Sequence, residues 1–464
     1  MKPSPTFTSQ TEAFTRWFTA LPGAKLLDAV EIADLRSRDA GRGIVATRDI
    51  PADSLLFSIP RKAILSVETS ELRQRLPELF EPSEDDGDED EEQGLSSWSA
   101  MILVLIYEHL LDQDSSWKPY LSILPETFDT PMFWTDDEIT ELQASALASK
   151  IGRAEADEVF RKKLLPIIRS HPDIFRASHD HSDDELVKLA HRMGSTIMAY
   201  AFDLENENEF QDVDENDDGW VEDRDNKALL GMVPMADMMN ADAEFNAHVN
   251  HEDESLSVSS LRPIKAGEEV LNYYGPYPNS ELLRRYGFVT EKHARYDDVE
   301  LPWDIIEDAV ASHLHLPRDV VEKTRLRIDT EELDDSVILE RDSQGEGPVG
   351  KFTDTASVHK LPDPASQQLK SLLKALPAGT LPPSKPSREA TQRAIISKAL
   401  TAMQSRYATT TAQDEQLLQQ DMSKRRRMAV QVRLGEKRVM DEFATWLAEE
   451  DQSHRPSKKI KVAD

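Results

Sequence analysis

Two tyrosines stand twelve residues apart, each followed by glycine: Tyr274-Gly275 in NYYG and Tyr286-Gly287 in RRYGF. Upstream, the apolar segment LLGMVPMADMM (229–239) runs into Asn240, and a KAGEEV turn (265–270) lies between. Earlier still, Ala40-Gly41-Arg42-Gly43 precedes the first extended stretch. These groups are phenols, a carboxamide and open main chain. They orient a ligand by shape and hydrogen bonds, and they include no activated nucleophile, metal cluster or phosphate cradle. A lone tyrosine is more often core filler than a working group. Two at this spacing, downstream of Asn240 and a turn, define a candidate site.

The elements that must hold these residues are visible in the periodicity. Residues 44–59, IVATRDIPADSLLFSI, read as two short strands around a Pro-Ala-Asp turn. From Trp98 to Leu111, the spacing of Ile102, Leu105, Ile106 and Leu110 predicts one apolar face of a helix. Helical spacing returns over 184–202 at Leu186, Leu189, Met193 and Ile197. Short strands are expected over 246–274, where Leu256 and Val258 alternate with polar neighbours. After about 303 the chain reads as helical, with Ile395, Leu400, Met403 and Tyr407 on one stripe and Val439, Phe443 and Leu447 on another. The stretch 329–370 mixes acids with Gly, Ser and Pro and is expected to be a long loop.

Composition sets the context. The 464 residues suffice for two or three domains with real cores. They include no cysteine, which excludes disulfides, thiolate zinc sites and cysteine nucleophiles. No run of 18 apolar residues is present and the N-terminus lacks a signal-peptide core, so a soluble intracellular protein without membrane association is expected. The formal charge of −33 argues against nucleic-acid binding and favours basic partners, because long-range attraction raises encounter rates. Much of the acid sits in SEDDGDEDEEQG (83–94) and in 203–225, both read as disordered insertions.

The order Asn240, turn, Tyr274, Tyr286 resembles the C-terminal half of a SET domain, the S-adenosylmethionine-dependent lysine methyltransferase fold. Ala40, Gly41, Arg42 and Gly43 look like the family's glycine turn, whose backbone approaches the cofactor. Asn240 matches its Asn-His pair, where asparagine holds the methionine end of the cofactor. The sequence departs at Ala241, where histidine is usual, which leaves open whether backbone or ring makes that contact. By the resemblance, Tyr274 lies beside the transferring methyl group and is the catalytic residue, and Tyr286 contacts the cofactor and lines the lysine channel. SSWKPYLSILPETFDTPMFW (115–134) and IMAYAFDLE (197–205) resemble the insertion found in the Rubisco-methyltransferase-like subfamily. Its nearest branch methylates ribosomal proteins and, in animals, transcription factors. On that analogy Tyr200 touches the cofactor and Asp203 lies near the substrate lysine.

The resemblance implies an α+β architecture: a β-rich SET domain over 20–290 carrying a helical insertion (71–230), then an all-α substrate-binding domain (303–450) and a basic tail (451–464). It implies S-adenosyl-L-methionine as cofactor, no metal, and a basic protein substrate, most simply a ribosomal protein of the large subunit. A monomer is expected. A SET-like binding module without strong activity, and a nuclear methyltransferase of transcription factors or histones, are the alternatives. The tail Lys458-Lys459-Ile460-Lys461 resembles a nuclear-import signal, so residence in the nucleus, with the cytoplasm as a second location, is expected. One rival signal is calcium: Asp214, Asn216, Asp218, Gly219 and Val221 match EF-hand loop positions. Position 12 is Asp225 in place of glutamate and no exiting helix follows, so an acidic loop is favoured.

Overall fold

The computed structural model describes residues 5–80, 95–176, 178–204, 229–328, 333–343, 349–382 and 384–453. Three small antiparallel sheets build the first half. Strands β1 (Lys25–Leu26), β4 (Leu55–Pro60), β9 (Ser255–Ser260) and β8 (Ala247–His251) form one sheet in the order β1-β4-β9-β8. Strands β2 (Val30–Asp34), β3 (Arg42–Ala46) and β10 (Glu269–Val270) form a second, in the order β10-β3-β2. The third is β5 (Leu65–Ser66), β7 (Leu230–Met232) and β6 (Ala201–Asp203), in the order β5-β7-β6. Each sheet thus joins chain from before the helical insertion to chain near or beyond residue 230. The site, which draws on both ends, can form only once these long-range pairings exist.

Between β5 and β6 the chain is helical. The helix Asp183–Tyr200 opens with a capping box, in which the Ser182 side chain accepts from Glu185 N and Glu185 returns to Ser182 N. Asp183, Asp184 and Glu185 in its first turn suit the positive end of the helix dipole. Its last residue is Tyr200, delivered to the edge of β6. The helix Ser97–Leu111 differs from the one-faced helix expected. Every residue from Ser99 to Glu108 is buried. It carries no charged residue before Glu108, and a helix apolar all round must be enclosed. The core around it runs from Phe14 to Val270.

Two expectations need correction in detail. The glycine turn does not precede the first strand. Asp34 pairs with Arg42 and Leu35 N donates to Gly41 O at 2.8 Å, so the turn is the tip of the β2–β3 hairpin, and Arg42 and Gly43 already lie in β3. The long loop expected over 329–370 contains β12 (Ser336–Glu340), paired antiparallel with β11 (Asp298–Pro302), and the helix Asp363–Ala375. Val337 and Leu339 are buried in a second core that extends from Val299 to Leu447, and burial of those two side chains sets the strand. Among the described residues the helical C-terminal half therefore carries a two-stranded sheet. The acidic run 83–94, the candidate calcium loop 214–225 and the Lys458–Lys461 signal lie outside the described residues, as does 203–225 beyond Leu204.

The C-terminal half is fastened to the insertion by the long helix Lys424–Ser453. Trp134, Leu142 and Leu147 of the insertion pack with Leu283 and with Met428, Ala429 and Val432 of that helix. Around this apolar patch, Arg425 donates to Glu138 Oε2 at 3.0 Å and to Phe133 O at 3.0 Å, and Arg426 pairs with Glu141 at 2.9 Å. Deeper, the buried Arg433 pairs with buried Asp414 at 2.8 Å and reaches Glu141 Oε2 at 3.1 Å, while Lys437 also donates to Asp414. Removing one partner of a buried ion pair leaves uncompensated charge. Asp414→Ala removes the buried carboxylate that holds Lys437 and one of the two carboxylates that hold Arg433, and should lower the unfolding free energy by about 3–5 kcal/mol, read from urea denaturation. A loss under ~1 kcal/mol would show that water reaches the pair.

Candidate active site

The two Tyr-Gly pairs have one local cause. Gly275 has φ +117° and Gly287 has φ +76°, so each tyrosine sits immediately before a left-handed reversal. Gly287 ends the helix Asn279–Tyr286, its N–H reaching Leu282 O and Leu283 O. A Cβ at Gly287 would meet the backbone of Thr130 and Asp129 at 3.0–3.1 Å, so this helix end is pressed against the insertion. The reversals bring Tyr274 and Tyr286 together with ring centroids 4.5 Å apart, inclined at 33°.

Tyr274 is anchored. Its hydroxyl donates to Met239 O at 3.0 Å, which leaves the oxygen lone pairs for another donor. Met239 immediately precedes Asn240. The chain around Tyr274 also runs alongside Asn240: Asn272 N donates to Asn240 O at 2.9 Å, and Ala241 pairs with Asn272 in a parallel bridge. Tyrosine and asparagine ends of the site are thereby locked in register.

Around Asn240 the hydrogen bonding is directional. Its Nδ2 donates to Glu269 Oε1 at 2.6 Å and to Arg42 O at 3.2 Å. Both amide hydrogens are committed, so Oδ1 is the acceptor left to a ligand. Burial raises the Glu269 carboxyl, opposed by the Asn240 hydrogen bond. The Arg42 guanidinium turns away from this clasp, toward the N-terminal helix Pro5–Ala20. It donates to Ile123 O at 2.8 Å and Thr11 Oγ1 at 3.2 Å and lies 4.0 Å from the Phe7 ring centroid. What Arg42 contributes toward Asn240 is its carbonyl. Ala40 and Gly41 form the hairpin tip, where nothing stands within 4 Å of the position a Gly41 Cβ would take. A ligand can therefore approach this main chain closely.

Tyr200, at the helix end, completes the aromatic group. Burial pushes its phenol up to about 12, with a contribution from Asp237. Burial also raises Tyr274 well above its ordinary value, followed by the influence of Tyr200 and Tyr286. Both phenols therefore stay protonated at neutral pH and act as dipoles. Asp203 ends β6, paired with Leu230, three residues beyond Tyr200.

Sequence reasoning passed over two residues here, Asp237 and Tyr120. Asp237 is 4% exposed, and burial pushes its carboxyl up to about 8 against the hydrogen bond from Tyr120, which lowers it. Tyr120 is wholly buried and donates its hydroxyl to Asp237 Oδ2. The backbone N–H groups of Asp237 and Met235 also lower this carboxyl, while Oδ1 makes no hydrogen bond of full geometry among the described residues. The signal was a single acid inside the apolar LLGMVPMADMM run, where a charge needs a reason. Among the described residues no group of three or more His, Asp or Glu side chains could hold a metal ion.

Comparison with known families decides the fold's ancestry. Residues 41–275 match the SET domain family. The chain belongs to the SET domain family. Residues 310–440 further match the Rubisco LSMT substrate-binding family. The chain is 33% identical over 311 residues to ribosomal lysine N-methyltransferase 4 of Saccharomyces cerevisiae, covering 66% of this chain and 60% of that protein. It is 34% identical to N-lysine methyltransferase setd6 of Xenopus laevis over 53% of this chain and 50% of that one. The match thus spans half to three-fifths of those two relatives. The Salmo salar setd6 protein is 27% identical over 93% of this chain and 95% of its own length. Among solved structures, Rubisco LSMT bound to sinefungin and monomethyllysine superposes with a TM-score of 0.63 at 19% identity, over 97% of this chain and 93% of that one. Rubisco LSMT bound to AdoMet gives 0.60 at 20% identity over the same shares.

Within this SET domain the glycine at 43 has a packing role. A Cβ there would meet Glu269 Oε1 at 2.7 Å and Asn240 Nδ2 at 2.8 Å, with Leu35 closer still. Gly43→Ala should therefore push apart the Asn240–Glu269 clasp and cost about 1–3 kcal/mol, as overpacking does. Thermal unfolding measures this; an alanine variant as stable as the parent would mean the clasp yields freely.

Proposed function

We propose that this chain is an S-adenosylmethionine-dependent protein-lysine N-methyltransferase. The observation that carries the reading is the aromatic group of Tyr274, Tyr286 and Tyr200, locked in register with Asn240. The names of the relatives, N-lysine methyltransferases of yeast and vertebrates, support it.

The residues present fit the cofactor. Asn240 Oδ1 is an acceptor for the ammonium of its methionine end, and the open main chain at Gly41 permits close approach. Ala241 is engaged through its backbone bridge to Asn272, which supports a main-chain contact where a histidine ring is absent. When bound, S-adenosylmethionine supplies an electrophilic methyl group on a sulfonium. The protein's part is to present a neutral amine. A free lysine titrates near ~10.4, so at pH 7 the penalty for the neutral form is roughly 4 kcal/mol. An aromatic enclosure of uncharged phenols strips water from the ammonium and lowers its pKa. The lone pairs of the Tyr274 hydroxyl, whose hydrogen is committed to Met239 O, then orient the amine hydrogens.

The substrate we propose is a basic protein, with a large-subunit ribosomal protein the first candidate and transcription factors or histone tails the alternatives. A formal charge of −33 supports a basic partner through long-range attraction. The basic run Lys458–Lys461 supports action in the nucleus, and a monomer suffices for the site. Mass spectrometry of ribosomal proteins from cells with and without this chain tests the substrate. Absence of any methyl difference would direct attention to the other basic proteins.

For the chemistry, Tyr274→Phe should lower methyl transfer by about 10²–10³-fold, the scale of one lost oriented dipole, while cofactor affinity stays within a few-fold by calorimetry. Turnover equal to the parent would remove the role assigned to its hydroxyl. Asn240→Ala should weaken cofactor binding by about tenfold or more, the scale of one lost charge-assisted hydrogen bond.

A further inference from the structure

The β2–β3 hairpin tip carries an arginine at each end, Arg36 on one side and Arg42 on the other. Two like charges so placed repel. Burial lowers the Arg42 guanidinium, and the neighbouring charge of Arg36 lowers it further. Yet both converge on one ring. Phe7, in the first turn of the N-terminal helix Pro5–Ala20, has its ring centroid 4.3 Å from the Arg36 guanidinium carbon and 4.0 Å from that of Arg42. We propose that Phe7 is a positioning residue for the cofactor: by gathering both guanidiniums on its ring, it closes the glycine turn assigned above to S-adenosylmethionine. This role rests on the methyl-transfer reading of the site.

Three observations carry it. The turn is tied to Asn240 through main chain, since Arg42 O accepts from Asn240 Nδ2 at 3.2 Å. A displaced Arg42 therefore displaces one of the acceptors that aim the asparagine. The tip also has little of its own to hold it. Asp39 and Gly41 both have left-handed backbone, at φ +59° and +65°, and nothing stands within 4 Å of a Gly41 Cβ. It is closed by Leu35 N to Gly41 O at 2.8 Å, so its place is set mainly by its ends, which are the arginines. Finally, the support is rigid. Lower on the same helix, Trp17 donates from Nε1 to Ser116 O at 3.0 Å and stacks on Tyr120 with centroids 6.5 Å apart. The insertion thus holds the helix, and the helix presents Phe7 to the turn.

The arginines are each oriented for this contact by other partners. Arg36 makes two hydrogen bonds to Asp34, at 2.8 and 2.7 Å. Arg42 donates to Ile123 O at 2.8 Å, Thr11 Oγ1 at 3.2 Å and Gln10 Oε1 at 3.4 Å. A cation over an aromatic face is attracted by the negative charge of the π system. One ring can therefore offset part of the repulsion between two guanidiniums, which an aliphatic side chain of equal bulk cannot do. That difference separates the positioning role from plain packing.

Phenylalanine carrying one, two or three fluorines, placed at position 7 of the full chain, nearly keeps the ring's shape while draining its negative face in steps. The dissociation constant for S-adenosylmethionine, read by calorimetry, should rise in step and reach about tenfold at three fluorines, the scale of one partly desolvated cation–π contact. At saturating cofactor kcat should hold, because Tyr274 and Tyr286 are aimed by other turns. With Arg36→Met and Arg42→Met together, which leave the main chain in place, the fluorine series should go flat. A flat series in the parent chain, a slope that survives loss of both arginines, or a kcat that falls along with affinity overturns the proposal. If the parent chain binds no S-adenosylmethionine, the function reading fails separately. Amide exchange at Leu35, whose N–H closes the tip, then tests Phe7 alone. Exchange should quicken along the same series, and an unchanged rate refutes the positioning role.

Discussion

One backbone pairing governs the site: the parallel bridge of Ala241 with Asn272, fixed by Asn272 N to Asn240 O and by Asp242 N to Asn272 O. The candidate site residues on both sides hang from it. On one side, Asn240 clasps Glu269 of β10 and the carbonyl of Arg42 in β3. On the other, Tyr274 reaches back to Met239 O and faces Tyr286. Because the link is made by main chain, a side-chain change such as alanine at 241 leaves it intact. Glycine at 43 serves the same end, since a larger residue would drive β3 away from Asn240.

Much of this was legible because the informative residues obey local rules. Tyr-Gly pairs mark reversals, and both glycines have positive φ. The helix ending at Tyr200 announces itself by Ser182 and Glu185 at capping-box spacing. The strands at 42–46 and 55–60 follow their alternation and turn. What stayed hidden depends on distant partners. Nothing local tells that Arg42 points to Thr11 and Ile123 and offers the clasp only its carbonyl. Nor does the sequence reveal that Tyr120 meets Asp237 across 117 positions. The helix Ser97–Leu111 suggested one apolar face because periodicity records which residues are apolar, while enclosure on all sides is decided by what folds over it. Strand β12 was lost among acids and glycines, its own signal being five residues long.

A chain without cysteine has neither disulfide nor thiolate-held zinc to join its parts, and here a basic helix is laid across acidic residues of the insertion. Asp129 shows how closely the parts are fitted. Its backbone abuts the Gly287 turn while its carboxylate pairs with Lys424 at 2.9 Å and Arg425 at 3.3 Å. The reversal that aims Tyr286 and the helix that closes the C-terminal half therefore share one residue of the insertion.

That seam has a thermal character of its own. Ions are hydrated with a strongly negative entropy, so the cost of drying them falls as temperature rises, whereas apolar burial gains little. The ion pairs that cross it, Arg433 and Arg426 to Glu141 and Arg425 to Glu138, lose less on heating than apolar contacts would. As temperature rises, the ionic rim of the seam therefore carries a growing share of the attachment relative to the apolar patch it surrounds.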